Sequence, residues 1–120
     1  MENVTPASNI IGITVENKAR EDLGTIKDLA IDFDTGCVAY AVLSFGGILG
    51  LGDKLFAVPW SALLYDASNN CFTLDVQKDA LQNAPGFDKD NWPDMADQHW
   101  GREVHEYYGV DPYWETSRVR

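Results

Sequence analysis

Basic residues are scarce in this chain. Nine Lys and Arg stand against nineteen Asp and Glu among 120 residues, a formal net charge of −10. Nucleic-acid binding normally needs a Lys/Arg patch that displaces counterions from phosphates, and no such cluster occurs, so a phosphate backbone is excluded as the main partner. Cysteine is scarce as well: Cys37 and Cys71 are the only two, too few for a disulfide framework at this length. Each follows an expected turn, and both are read as reduced small hydrophobes in a cytoplasmic protein, with a bridge or a redox role as the alternative. Long apolar runs are missing too. The longest, residues 37–51, is interrupted by Ser44, Gly46, Gly47 and Gly50, far short of the roughly 18 apolar residues of a membrane span. The N-terminus has neither the basic start nor the apolar core of a secretory leader. The expectation is therefore a soluble, cytoplasmic chain without membrane insertion.

What is present suffices for one domain. Hydrophobic residues make up 45% of the chain, with five Phe, five Tyr and four Trp to fill a core. Residues 26–34 alternate, placing Leu29, Ile31 and Phe33 on one side and Asp28, Asp32 and Asp34 on the other, which predicts a half-buried strand. The turn Asp34-Thr35-Gly36 should return the chain antiparallel, with Gly36 supplying positive φ. The next strand, residues 38–45, is apolar in both parities, so its outer face must be covered by the C-terminal tail or by a second subunit. Further short strands are predicted at residues 11–15, 55–59, 63–65 and 71–76. Six strands within about 70 residues, with no long helix between them, indicate a mainly β fold: a small antiparallel meander closing into a barrel.

After residue 75 the pattern changes. Residues 78–83 read as a short helical turn and residues 87–93 as an irregular packed segment. One good helix follows, from Pro93 or Asp94 to Tyr108, with Gly109 as its stop. Ala96, Trp100, Val104, Tyr107 and Tyr108 form its apolar stripe, and Gln98, Arg102 and His105 are expected to face away.

Candidate chemistry is thin. The glycine run from Gly46 to Gly52 is no phosphate loop, because Asp53 precedes Lys54 and a strand follows instead of a helix. Its three aliphatics, Ile48, Leu49 and Leu51, are expected to bury against another element or another chain. His99 and His105 are six apart, about 120° off alignment on a helix, and cannot share a metal from that helix alone. The face His99, Glu103, Glu106 reads as solvated, with a weak ion site as the sharper alternative. Asp28, Asp32 and Asp34 read as surface acids along a strand. No serine has nucleophile-elbow context and neither cysteine adjoins a histidine. No catalytic, cofactor or metal residue is assigned, and the chain is not expected to be an enzyme. The candidate interaction surface consists of Ile48, Leu49, Leu51, Trp92, Trp100, Tyr107 and Tyr108.

Several stretches together carry a resemblance: Asn9-Ile10-Ile11-Gly12, Leu23-Gly24-Thr25-Ile26-Lys27-Asp28-Leu29, Ile31-Asp32-Phe33-Asp34-Thr35-Gly36, Gly50-Leu51-Gly52-Asp53-Lys54 and Ala57-Val58-Pro59-Trp60. With Ala84-Pro85-Gly86-Phe87 and the residues up to Pro93, the chain resembles free-standing bacterial members of the PRC-barrel family over residues 6–94, leaving 95–120 as a C-terminal helix and tail. The family's name joins the photosynthetic reaction centre H subunit with a ribosome maturation factor. The resemblance implies a scaffold that binds other macromolecules and performs no reaction. The function expected is a non-catalytic interaction or scaffold module that self-associates as a homodimer and has an unidentified protein partner. The alternatives are a small-ligand or metal-binding protein and a ribosome-assembly factor acting through protein contacts. The acidity is spread evenly, −5 in residues 1–74 and −5 in 75–120, and reads as solubility.

Overall fold

Strands β2 (Asp22–Ile31) and β3 (Val38–Phe45) are joined by a turn that Asp32 organises. The structure, a computed structural model, describes residues 4–46 and 54–116. The Asp32 N–H donates to the Cys37 carbonyl (2.8 Å), its carbonyl accepts from Gly36 N–H (2.7 Å), and its Oδ1 accepts from Asp34 N–H (2.8 Å). A carboxylate that captures the backbone two residues on competes with the strand ladder. The strand therefore ends at Ile31, and Asp32, Phe33 and Asp34, expected within it, belong to the turn. Gly36 completes the reversal at φ +77°.

The expected face of this strand is also corrected. Register shifts between Ile26 and Asp28 and between Ala30 and Ile31 break the simple alternation, since each extra residue flips the following side chains. The strand starts earlier than expected, and Leu23 and Ile26 are the fully buried residues. Leu29 is only half-buried and Ile31 exposed, while Phe33 is 95% exposed.

Four shorter strands complete one sheet: β1 (Thr14–Glu16), β4 (Lys54–Pro59), β5 (Leu63–Asp66) and β6 (Cys71–Leu74). Their order is β4-β3-β2-β1-β6-β5, a mainly β architecture in which the sheet curls as a half-barrel. The expected meander is antiparallel throughout, but β1 and β6 pair in parallel, Val15 opposite Phe72. Strands β1 to β4 alternate in direction and β5 keeps the direction of β4 across the short connection Trp60–Ala62, so the hairpin reversal into β6 leaves it running with β1. The inner face holds the main core, with Val15, Leu23, Ile26, Leu43, Phe56 and Leu74 at its centre. Helix α1 (Lys78–Gln82) closes one end by burying Leu81. Phe87 then straps the edge of β4, exchanging two backbone hydrogen bonds of 2.8 Å with Leu55. Cys37 and Cys71 are both free, one exposed and one buried.

The outer face of β3 and β4 is covered by this chain's own tail. Ala39, Tyr40 and Ala57 pack against Val104, with Trp100, Met95 and Tyr113 around them. The covering helix, α2, spans Gln98–Tyr107, and the Asp97 side chain caps it by accepting from His99 N–H (2.9 Å). Its start lies later than expected because Asp94 first closes a separate turn, accepting from Ala96 N–H through its side chain and from Asp97 N–H through its carbonyl. Gly109, at φ +74°, ends it as expected. The buried face is also corrected. It consists of Gly101, Val104, His105 and half-buried Tyr108, whereas Ala96 is exposed and Tyr107 is 41% exposed. A final short helix, α3 (Tyr113–Thr116), folds back onto α2.

Gly101 marks how closely α2 sits. A Cβ there would lie 2.6 Å from the Tyr40 hydroxyl and 3.0 Å from the Trp114 ring. Alanine is the better helix former by up to about 1 kcal/mol, whereas overpacking costs about 1–3 kcal/mol. Urea denaturation of Gly101→Ala should therefore show a net loss of stability, and an unchanged or raised midpoint would mean that the lid is not packed this tightly.

Candidate interaction surface

Tyr40 is the residue on which the tail assembles. It projects from the outer face of β3, 1% exposed, and meets three rings edge-on: Trp100 at 5.2 Å, His105 at 5.4 Å and Tyr113 at 6.0 Å between centroids. Edge-to-face contacts of this kind contribute about 0.5–1.5 kcal/mol each beyond area burial. Its hydroxyl is buried without a hydrogen-bond partner, and burial pushes its pKa far up. Tyr108 has a similarly orphaned hydroxyl, also pushed up by burial.

His105 fastens α3 to α2. Its Nδ1 lies 2.7 Å from the Gly101 carbonyl and its Nε2 accepts from the Tyr113 N–H at 3.2 Å. A carbonyl can only accept and an amide N–H only donate, so this pair of partners assigns the neutral tautomer with the proton on Nδ1. The ring is fully buried, which explains why a polar residue occupies the inward face: its two nitrogens are both satisfied. Trp114 packs edge-on against His105 at 5.6 Å, and Arg102 spans from above that indole to Glu115 at 2.9 Å.

Between the β2–β3 turn, the start of α2 and α3 lies a cavity of about 410 Å³. Asp32, Asp34 and Asp97 stand in its walls together with Tyr40, Tyr113 and Trp114. The Tyr113 phenol is pushed up to about 12, first by burial and then by the carboxylates of Asp32 and Asp34. Ile31, the last residue of β2, also lines it, while Phe33 on the following turn does not and stands almost wholly in solvent.

The residues singled out in the sequence are dispersed. Ile48, Leu49 and Leu51 lie outside the described residues. Trp100 and Tyr108 pack inward against the sheet. Trp92 is 44% exposed, rests on Phe87 at 5.1 Å and donates its Nε1–H to the Lys89 carbonyl. Tyr107 is exposed in part and donates its hydroxyl to the Ala80 carbonyl, tying α2 to α1. Asp28 sits at the register shift of β2 with its Oδ1 on Leu29 N–H, apart from the turn that holds Asp32 and Asp34. His99 and Glu103 pair at 3.6 Å in solvent. Among the described residues no group of three or more His, Cys, Asp or Glu is arranged to hold a metal ion, and no helix is long and apolar enough to cross a membrane. His105, Gly101 and Asp97 are not among the residues that the sequence points to as an interaction surface. The only signal for the first two is the spacing Gly101, Val104, His105, Tyr108, which is an inward helical stripe once glycine and histidine are allowed on it.

The family model for the PRC-barrel domain matches residues 2–81. The match takes in all six strands and most of α1 and stops before α2. No curated protein matches the chain.

The lock at His105 has a pH dependence of fixed sign. Burial holds the imidazole below its ordinary value, reinforced by Arg102 and opposed by the Gly101 carbonyl and Glu115; Tyr40 and Tyr113 face the ring as neutral groups. The folded state thus binds fewer protons than the unfolded chain. The contribution is complete above the unfolded pKa of about 6.5 and is lost as pH falls below it toward the lowered folded value. The urea midpoint should accordingly drop between pH 7.5 and 5.5, and His105→Phe should flatten that slope whatever its absolute stability. A midpoint that is level in the unsubstituted protein over this window would contradict a buried, neutral His105.

Proposed function

The chain belongs to the PRC-barrel family, and from that premise we propose that it is a non-catalytic interaction module whose partner is another protein. The observation that carries this reading is the β2–β3 turn. Phe33, on the turn, is 95% exposed and Ile31, the last residue of β2, is 48% exposed, at a hairpin end whose shape is fixed by Asp32 and not by either apolar side chain. Neighbouring apolar residues held out on a rigid hairpin end are suited to contact with a partner. The tail supports the same reading, since it covers the apolar outer face of β3 and leaves this turn outside the lid.

Affinity purification from the native cell followed by mass spectrometry tests it. The same protein should be recovered repeatedly by the unsubstituted chain and be depleted with Phe33→Ser. Recovery of no protein, together with a metal or metabolite that raises the melting temperature, would favour the small-ligand alternative, because a ligand at 100 times its Kd adds about 2.7 kcal/mol.

A second reading, self-association, has one observation in its favour. Strand β5 ends the sheet, no strand pairs with its outer side among the described residues, and Leu64 on it is 71% exposed. Antiparallel pairing of two β5 edges about a two-fold axis would use that edge. With −10 on each copy, such a dimer should strengthen as salt screens the repulsion. Light scattering at micromolar concentration in low and high salt checks this, and a monomer under both conditions rules it out.

A further inference from the structure

The last helix of the chain is tied down by a group that acid can charge. Helix α3 is a single turn, and none of its residues is fully buried. A helix this short does not hold itself together in water, so its place depends on what grips it. Pro112, immediately before it, is buried and anchors the chain up to that point. Beyond Pro112, His105 is the centre of the grip. Its Nε2 accepts from the Tyr113 N–H at 3.2 Å, and its ring meets those of Trp114 at 5.6 Å and Tyr113 at 5.9 Å. The pair Arg102–Glu115 and the edge-on contact of Tyr113 with Tyr40 complete it.

Protonation reverses the sense of the central contact. Nδ1 already carries a proton for the Gly101 carbonyl, 2.7 Å away, so a second proton must go to Nε2. There it meets the Tyr113 N–H, donor against donor, and the hydrogen bond is lost. The ring is fully buried, and a charge without a partner in the interior is unfavourable. Its neighbours do not supply that partner. On α2 the Arg102 guanidinium opposes a second cation, and on α3 the Glu115 carboxylate favours one but is already paired with Arg102. Tyr113 from α3 and Tyr40 from β3 face the ring as neutral phenols. Asp32 and Asp34, on the β2–β3 turn, act on the Tyr113 phenol and not on the imidazole.

The charged ring reaches water with the least rearrangement on the α3 side. Helix α2 is held to the sheet by the packing of Val104 and Trp100 on Ala39, Tyr40 and Ala57, and to α1 by the Tyr107 hydroxyl on the Ala80 carbonyl. Displacing α3 opens Nε2 to solvent and leaves those contacts in place. We propose that His105 is an acid-sensitive latch, whose protonation releases Tyr113–Thr116 from α2 while the sheet and α2 stay folded. Tyr113 and Trp114 wall the cavity that Ile31 also lines, so the end of the β2–β3 hairpin has a walled surface at neutral pH and an open one in acid. The proposal goes beyond the interaction-module reading and does not depend on it.

The test follows the backbone amide and imidazole nitrogen signals of the full chain by NMR from pH 7.5 to 5.0, a window in which histidines titrate while carboxylates, near about 4, stay largely charged. The signals of Tyr113–Thr116 should move to unstructured positions, the ratio of released to docked form rising by up to about tenfold per pH unit below about 6.5. Those of β2, β3 and α2 should hold, and the His105 ring should titrate with the same midpoint as α3. His99, the only other histidine, is exposed, and His99→Gln should leave the transition in place. His105→Gln retains an oxygen that can accept from the Tyr113 N–H but has no charge to gain, and should abolish the transition. Signals of α3 that stay docked throughout, or that are lost together with those of the sheet, overturn the latch, as does a transition that persists in His105→Gln. Should α3 already be free in that variant at pH 7.5, the unsubstituted ring decides: a His105 midpoint shared with α3 supports the latch and a different one overturns it. None of these readouts involves a partner, so failure of the latch leaves the module reading standing.

Discussion

A β-strand with apolar side chains on both faces cannot be dried by a curled sheet alone, because the sheet has only one interior. Strand β3 imposes this condition. Ala41 and Leu43 enter the main core, while Ala39 and Tyr40 belong to the second cluster on the outside. Burying an aromatic side chain removes about 200 Å² from water, worth about 5 kcal/mol at about 25 cal/mol per Å². The unmatched Tyr40 hydroxyl costs about 1–3 kcal/mol against that. Burial therefore wins even with the hydroxyl unsatisfied, and the tail follows from it: α2 lies where it can cover Tyr40, with glycine at the point of closest approach.

Polar contacts fasten the lid in addition to its apolar burial. His105 bonds its own helix with one nitrogen and α3 with the other, and Arg102 bridges Trp114 and Glu115 on the far side. Because α3 is held through a neutral imidazole, the placement of Tyr113 and Trp114 depends on a group that acid can charge. Those same rings form one wall of the cavity beside the β2–β3 turn. Fold stability and the shape of the surface beside the hairpin are thus linked through one side chain.

The aspartates show how one residue type serves two ends. Asp32 shapes the turn and Asp97 caps α2, each by taking a backbone N–H. Placing these two structural acids on facing elements leaves their charge directed at a shared space. Asp34, which performs no such task, adds to it. A chain that carries its acidity evenly along the sequence can in this way concentrate it locally in the fold, without any acidic run in the primary structure.

The mainly β architecture was legible in the sequence because short strands with turn residues between them constrain the chain locally. The need to cover β3 was legible for the same reason, since both parities of residues 38–45 are apolar. Gly36 and Gly109 were readable from backbone geometry alone. The face of β2 was not, because register shifts reset alternation and are set by pairing with β3. The parallel β1–β6 ladder was out of reach too, being a contact between segments more than 50 residues apart in the chain. His105 was assigned to the solvent side because hydropathy counts it as polar, and only the packed structure supplies the two partners that make its burial possible. Asp32 and Asp34 were noticed as acids, but their meeting with Tyr40, Tyr113 and Trp114 exists only once the tail is folded over the sheet. Local chemistry determined the elements and their composition. Long-range packing decided which sides of them face each other, and so where a partner could bind.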